Sequence, residues 1–191
     1  MRIIAGEWRG RALVAPKGDA TRPTADRTRE ALFSMLVSRL GTLEGLRVAD
    51  LFAGSGALGL EALSRGAESC VFVEQERQAI DVLRKNIAAL GARAEVRAQS
   101  VLALMAATEP FDLILLDPPY GTGAGEVALD RLLRLGWIGP STMISLETAR
   151  GEEVRVSGLE IEAERYHGKA KLSLMRMAGP IPSQDMADQR G

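Results

Sequence analysis

The residues best suited to chemistry are Asp117, Pro118, Pro119 and Tyr120, which directly follow the apolar run at residues 113–116. Such a short apolar run is typical of a buried strand, so this chemistry is predicted to lie at a strand end. Asp117 and the Pro118 carbonyl provide two acceptors, which the proline rings hold in place. Tyr120 offers a face on which a base can stack. Together they suit a planar exocyclic amine, whose nitrogen becomes a better nucleophile when both N–H groups are held.

A second candidate site follows the strand predicted at residues 47–52, where Gly54, Gly56 and Gly59 form the pattern G-x-G-x-x-G. Glu74 lies twenty positions beyond Gly54, where it can accept both hydroxyl protons of a ribose. This spacing fits either a nicotinamide dinucleotide or S-adenosylmethionine, and the loop alone does not separate them. Asp50 favours S-adenosylmethionine, because its carboxylate repels a pyrophosphate and attracts an ammonium group.

The elements that must position these residues alternate between strand and helix from about residue 45 onward. Strands are predicted at 47–52, 69–74, 94–99, 111–117 and 142–149, and helices at 56–66, 76–91, 101–107 and 126–136. The last two strands, 159–166 and 169–177, are separated by a link of two residues, which makes an antiparallel hairpin. The sequence therefore predicts an α/β fold with an open, mostly parallel Rossmann-like sheet and an antiparallel C-terminal hairpin strand.

Residues 1–41 precede this alternating pattern and are predicted to form a separate extension. Two short strands at 2–7 and 9–16 form a β-hairpin, and a helix follows that ends at Gly41, with Thr24 or Asp26 as its N-cap. The predicted organisation is an extension at 1–41, a catalytic domain at 42–177 and a flexible tail at 178–191.

Composition excludes several classes of protein. The chain of 191 residues is 46% hydrophobic and 26% charged, which is ordinary for one globular domain. No apolar run reaches the roughly 20 residues that a membrane span requires. With one cysteine and one histidine, the chain offers neither an internal disulfide framework nor the ligands of a zinc site. We expect a cytoplasmic protein, without metal, that is a monomer.

Charge is distributed unevenly, although the net charge is only −1. Residues 1–40 carry eight basic and four acidic side chains, and seven of the eight basic residues are arginine. Because arginine binds phosphate through two parallel hydrogen bonds, this charge pattern fits either a nucleic-acid docking surface or a solvated face. Arg29 falls inside the apolar arc of its predicted helix, so a position facing the pocket is its alternative. The predicted RNA-binding residues are Arg2, Arg9, Arg11, Arg22, Arg27 and Arg29.

The Asp-Pro-Pro-Tyr tip combined with the glycine loop resembles the amino-methyltransferases that modify nucleobases with S-adenosylmethionine. More narrowly, four ordered stretches, at residues 2–11, 22–30, 50–67 and 117–120, resemble the ribosomal small-subunit methyltransferase D family. This resemblance covers residues 1 to 177. It implies a methyltransferase fold and methyl transfer to the exocyclic N2 of one guanine in bacterial 16S rRNA, free or within an assembling small ribosomal subunit. The tip alone does not separate guanine from adenine or cytosine.

The expected site residues follow from the Asp-Pro-Pro-Tyr tip and the glycine loop. The catalytic set is Asp117, Pro118, Pro119 and Tyr120. The cofactor-binding set is Asp50, Phe52, Ala53, Gly54, Gly56, Glu74, Gln75, Ser100 and Val101. Ser100 stands where related enzymes often carry an acid that holds the adenine amino group; its hydroxyl can accept a hydrogen bond but carries no charge.

Two rival functions account for only part of the sequence. An NAD-dependent oxidoreductase would use the glycine loop and leave the Asp-Pro-Pro-Tyr tip unexplained. A non-catalytic RNA-binding module would use the basic N-terminal segment and leave both the tip and the glycine loop without a purpose.

Overall fold

The computed structural model describes residues 1–15 and 23–179, without the side chains of Pro23 and Thr24. Within these ranges the helices are α1 (Pro23–Leu40), α2 (Ala57–Ser64), α3 (Arg77–Leu90) and α4 (Ala124–Arg134), with a short 3-10 turn at Val101–Ala103. The strands are β1 (Arg47–Leu51), β2 (Ser69–Glu74), β3 (Glu95–Ala98), β4 (Leu113–Leu116), β5 (Met143–Ala149), β6 (Leu159–His167) and β7 (Ala170–Met177).

The strands form one sheet in the order β3-β2-β1-β4-β5-β7-β6. Strands β1 to β5 are parallel, and β7 is antiparallel to both of its neighbours. The predicted open, mostly parallel sheet with an antiparallel C-terminal strand is therefore confirmed. Strand order reverses between β1 and β4, and such a switch point is where open α/β sheets bind ligands, beyond the carboxyl ends of the strands.

The core lies on both faces of the sheet, because alternate residues of a strand point to opposite sides. In β4, Leu113 and Leu115 join a cluster with side chains of α1, α2 and α3, whereas Ile114 and Leu116 pack with α4. All four are buried, which explains the unbroken apolar run just before Asp117. None of the helices in the described ranges is long and apolar enough to cross a lipid bilayer.

The N-terminal segment belongs to the same core. Ile3 and Leu13 are buried with Leu32, Leu36 and Leu60 in one cluster. The predicted β-hairpin is reduced to a single antiparallel bridge between Arg2 and Ala12, so the strand bounds expected at 2–7 and 9–16 were wrong. The reason is that the backbone N–H groups of Ile4, Ala5, Glu7 and Trp8 donate to Glu61 and Ser64 of α2 rather than to a partner strand.

Two further element boundaries differ from the prediction. Helix α1 begins at Pro23, so Thr24 and Asp26 lie in its first turn and neither is the N-cap. Proline fits the first helical position, because its missing N–H would have no intrahelical partner there. The helix expected at 101–107 is only the 3-10 turn Val101–Ala103. At the other end, Ala178 still donates to the Gly158 carbonyl, and the remaining tail from 180 to 191 lies outside the described residues.

Candidate active site

A cleft of about 670 Å³ opens at the carboxyl ends of β1, β4 and β5. This volume lies within the ~300–1,000 Å³ typical of small-ligand sites. Its lining includes Asp50 and Phe52–Gly54 from the end of β1 and the loop after it, Asp117 and Tyr120 from the tip of β4, and Glu147 from β5. The structure thus brings the two sequence motifs, which lie about sixty residues apart in the chain, to one cavity.

The glycine loop between β1 and α2 has the backbone shape that its sequence predicts. Gly54 and Gly56 have φ angles of 54° and 79°, in the left-handed region that favours glycine. Gly59 is needed for close packing, since a Cβ there would lie 2.4 Å from a ring carbon of Phe72. Phe52 adopts φ 60° without being glycine. Such conformations are concentrated at functional sites, where the surrounding structure imposes them.

Asp50 lies at the floor of the cleft with 1% of its surface exposed. One carboxylate oxygen accepts a hydrogen bond from the N–H of Gly59 at 2.8 Å. Burial raises the pKa of Asp50 well above its usual value; the Gly59 bond opposes this shift, and the nearby charges of Asp117 and Glu74 add to it. A cationic group entering the cleft beside Asp50 would therefore relieve an electrostatic cost.

Glu74 ends β2, as predicted, and organises the backbone beside the glycine loop. Its carboxylate accepts hydrogen bonds from the N–H groups of Gly54 at 2.9 Å, Gln75 at 2.7 Å and Glu76 at 2.8 Å. Neither Glu74 nor Gln75 contributes to the lining of the main cleft. The acid therefore lies next to the loop and holds its conformation.

Ser100 and Val101 also do not contribute to the lining of the cleft. The Ser100 hydroxyl accepts a hydrogen bond from the Leu102 N–H at 3.2 Å and so caps the 3-10 turn. Val101 is 4% exposed and packs in the core on the α4 face of the sheet. Neither residue is acidic, so this position lacks the acid that related enzymes often use to hold the adenine amino group.

The Asp-Pro-Pro-Tyr tip is fixed at both of its ends. The Asp117 N–H donates to the Leu51 carbonyl at 3.5 Å, so the tip is tied to the end of β1. The Thr122 hydroxyl donates to the Pro119 carbonyl at 2.7 Å, and the Gly121 N–H donates to Glu152 at 3.1 Å. Pro118 is buried, whereas Asp117, Pro119 and Tyr120 are exposed. The tip therefore presents its acid and its ring from a rigid base.

Tyr120 extends this site to a residue that the sequence did not single out. Its hydroxyl donates to the carboxylate of Glu147. Burial and that hydrogen bond raise the pKa of Tyr120, which stays protonated at neutral pH, and burial also raises the pKa of Glu147. The signal available in the sequence was that Glu147 is the single charged residue of strand β5. Parallel register, with Leu116 paired to Leu146, places Glu147 beside Asp117.

The predicted RNA-binding arginines fall into three groups. Arg2, Arg9 and Arg27 are exposed. Arg11 is also exposed, and its guanidinium donates to the Ala89 carbonyl at the end of α3. Arg22 lies outside the described residues.

Arg29 requires a correction. It is 4% exposed, pairs with Asp26 at 3.0 Å and Glu61 at 3.8 Å, and donates to the Arg2 carbonyl. A side chain buried among these partners is not part of an exposed basic surface. Its place in the cleft lining agrees with the alternative expectation that it faces the pocket.

Comparison with known proteins identifies the family. The family described as Conserved hypothetical protein 95 matches residues 1–176. Ribosomal RNA small subunit methyltransferase D of Haemophilus influenzae is 39% identical over 156 residues, covering 78% of this chain and 79% of that protein. The protein of the same name from Escherichia coli K12 is 39% identical over 150 residues, covering 78% and 74%.

The fold comparison agrees with these sequence matches. The solved structure of the yhhF protein of Escherichia coli has a TM-score of 0.80 and 34% identity, covering 94% of this chain and 99% of that one. The resemblance read from the sequence motifs is therefore confirmed, and the chain belongs to the ribosomal RNA small subunit methyltransferase D family.

Proposed function

We propose that the protein transfers a methyl group from S-adenosylmethionine to the exocyclic N2 of a guanine in bacterial 16S rRNA. The observation that carries this proposal is that Asp117 and Tyr120 share one cleft with Asp50 and the glycine loop. An amine-holding group and a cation-attracting group thus face the same space. The names of the relatives support rRNA as the substrate class. Transfer to the exocyclic amine of adenine or cytosine is the alternative.

The polar groups of the glycine loop suit S-adenosylmethionine better than a dinucleotide. A pyrophosphate would need free backbone N–H groups at the start of α2. In this loop the N–H groups of Ala53, Gly54 and Gly56 already donate within the protein, and the Gly59 N–H donates to the carboxylate of Asp50. An acid therefore lies where a pyrophosphate would bind, which also argues against the NAD-dependent alternative.

Each part of the cofactor has a proposed partner in this chain. Asp50 would hold the ammonium group, the backbone at Phe52, Ala53, Gly54 and Gly56 would surround the amino acid end, and Glu74 with Gln75 would bind the ribose. Ser100 and Val101 remain the proposed adenine contacts, since the Ser100 hydroxyl can still donate a hydrogen bond. When bound, S-adenosylmethionine supplies an electrophilic methyl group on a positively charged sulfur.

The protein contributes to the reaction by positioning the amine and its base. Asp117 accepts one N–H of the amine and the Pro118 carbonyl accepts the other, so the nitrogen lone pair is turned away from the ring and out toward the methyl donor. Tyr120 stacks on the base. The nitrogen that gains the methyl group loses one proton, and Asp117 is placed to take it. Since the tip is fixed by hydrogen bonds before the base arrives, little reorganisation is needed.

Cofactor binding provides the first test. Asp50→Asn keeps an oxygen that can accept from Gly59 and removes the charge, so we expect the affinity for S-adenosylmethionine to fall about 10- to 100-fold. Because burial raises the pKa of Asp50, its protonation should weaken binding to the wild type as the pH falls through that raised pKa, and the variant should lose this dependence. Calorimetry at several pH values measures both. Binding of NAD to the wild type that is tighter than that of S-adenosylmethionine would contradict the proposal.

The N-terminal segment is proposed to dock the RNA, with residues 1–41 as the docking part and 42–177 as the catalytic domain. Phosphate contacts supply the positioning that a pocket for one base cannot provide. Arg2, Arg9 and Arg27 are exposed and belong to a segment rich in arginine. The proposed substrate is free 16S rRNA or rRNA in an assembling small subunit, so the enzyme would act in the cytoplasm. We propose that it acts as a monomer and without a metal.

Salt dependence tests this docking role. We expect that replacing Arg2, Arg9 and Arg27 together by glutamine weakens binding to 16S rRNA and flattens the plot of log affinity against log salt by about 0.7–0.9 per lost contact. A matched control changes Arg84 and Lys85, which are exposed on α3. Point variants are preferable to deleting the segment, because Ile3 and Leu13 belong to the core. An unchanged slope in the triple variant would show that these arginines face the solvent and do not contact the phosphates of the RNA.

A further inference from the structure

We propose that Glu147 and Asp117 together form a binding subsite for the Watson–Crick edge of guanine, and that Glu147 selects guanine over adenine and cytosine. This inference rests on the proposed function, because it concerns the base whose amine is methylated. It explains how the site would distinguish guanine from adenine and cytosine, which the Asp-Pro-Pro-Tyr tip alone does not do.

The topology of the sheet brings the two carboxylates together. Strands β4 and β5 are neighbours, parallel and in register, with Leu116 opposite Leu146. Asp117 and Glu147 are the next residues of the two strands, so they lie side by side at the carboxyl edge of the sheet. Both line the cleft with Tyr120. Both also contribute to the raised pKa of the Tyr120 hydroxyl, which places the two charges close to one ring.

Guanine matches two adjacent acceptors better than the other amino bases do. Its N2 amine lies next to N1, which carries a hydrogen, so this edge presents two neighbouring donors. In adenine and cytosine the amine lies next to an unprotonated ring nitrogen, which is an acceptor. If Asp117 accepts a hydrogen bond from the amine, Glu147 would accept the N1–H of guanine. In adenine or cytosine, the same carboxylate would face the lone pair of a ring nitrogen and could form no hydrogen bond. A site built for a donor rejects a base that lacks it, because its own polar group is left unpaired.

The hydrogen bond from Tyr120 prepares Glu147 for this role. The Tyr120 hydroxyl donates to one carboxylate oxygen, which orients the group. An ionised carboxylate can accept several hydrogen bonds, so capacity remains for a base. Glu147 is partly buried, and fewer water molecules therefore compete for it than at the surface. A simpler role, in which Glu147 only anchors the ring of Tyr120, makes a different prediction for the variants below.

The test compares Glu147→Gln with Tyr120→Phe on two RNA substrates. After the methylated guanine has been located by mass spectrometry, 16S rRNA is transcribed with guanine or with adenine at that position, and the methylated nucleosides are quantified. Glu147→Gln loses the charge that favours the guanine N1–H and gains an amide that can donate to adenine N1. We expect transfer to guanine to fall, transfer to adenine to rise, and the guanine preference to drop at least about tenfold.

The control variants separate selection from anchoring. Tyr120→Phe removes the hydroxyl bond and keeps the carboxylate of Glu147, so it should retain more of the guanine preference than Glu147→Gln, whatever its rate. Glu153→Gln changes a carboxylate that is 76% exposed and should match the wild type on both substrates. Unchanged cofactor binding by calorimetry shows that each variant is folded.

Two results would overturn the inference in different ways. If the wild type forms N2-methylguanosine and Glu147→Gln keeps the same guanine preference, Glu147 does not select the base, and the proposed function stands. If the wild type forms no N2-methylguanosine on either free or assembled rRNA, the proposed function and this inference fall together.

Discussion

Asp117→Ala is expected to lower methyl transfer by about 10²- to 10⁴-fold, the range lost when a positioned acid–base group is removed. The alanine removes the acceptor that holds one N–H of the amine and the group that takes its proton. Cofactor affinity should be preserved or slightly increased, because the charge of Asp117 helps to raise the pKa of Asp50. Without that charge the pKa of Asp50 is raised less, which favours the ionised form that attracts an ammonium group.

Single-turnover kinetics and calorimetry on the same protein separate these two effects. Asp117→Asn serves as the matched variant, since it keeps an oxygen acceptor and loses the charge, and it should retain more activity than the alanine. Methyl transfer by Asp117→Ala at a rate near that of the wild type would show that the tip is not the amine clamp. A parallel loss of cofactor affinity would instead indicate that Asp117 belongs to the cofactor site.

Local patterns in the sequence were sufficient to predict most strands of the sheet. The strand predicted at 69–74 has the same bounds in the structure, because an apolar run between turn residues marks it. The glycine loop and the Asp-Pro-Pro-Tyr tip were also found from short stretches, since glycine and proline act on the backbone nearest to them. Their meeting at one cleft followed from the rule that parallel strands end on the same edge.

Features that depend on distant partners were not predictable in the same way. The position of Arg29 in the apolar arc favoured a place facing the pocket, but its partner Glu61, thirty-two residues away, could not be inferred. The length of the N-terminal hairpin was overestimated because the pattern of residues 2–7 fits a strand, whereas the N–H groups of Ile4, Ala5 and Glu7 bind Glu61 and Ser64. Glu147 was missed because its importance comes from the register of β5 with β4.

Glu61 is the centre of the polar contacts between the N-terminal segment and α2. It is fully buried on α2. Its carboxylate accepts hydrogen bonds from the N–H groups of Ile4 at 2.8 Å and Ala5 at 3.0 Å, and it pairs with Arg65 at 2.8 Å and Arg29 at 3.8 Å. Ser64, one turn further along α2, holds the backbone of residues 5–8. A single buried acid thus ties the proposed RNA-docking segment to the helix that follows the glycine loop.

Glu61→Ala is expected to lower the free energy of unfolding by about 3–5 kcal/mol, because removing one partner of a buried ion pair leaves the other charge uncompensated. Urea denaturation measures this loss. The surface control is Glu162→Ala, whose side chain is 28% exposed and pairs with Arg39 and Arg176, and which should cost less than about 1 kcal/mol. In native buffer, trypsin should cleave Glu61→Ala faster after Arg9 and Arg11, since the anchor of the segment is lost. Equal stability of the two variants would mean that Glu61 is not the anchor of the N-terminal segment.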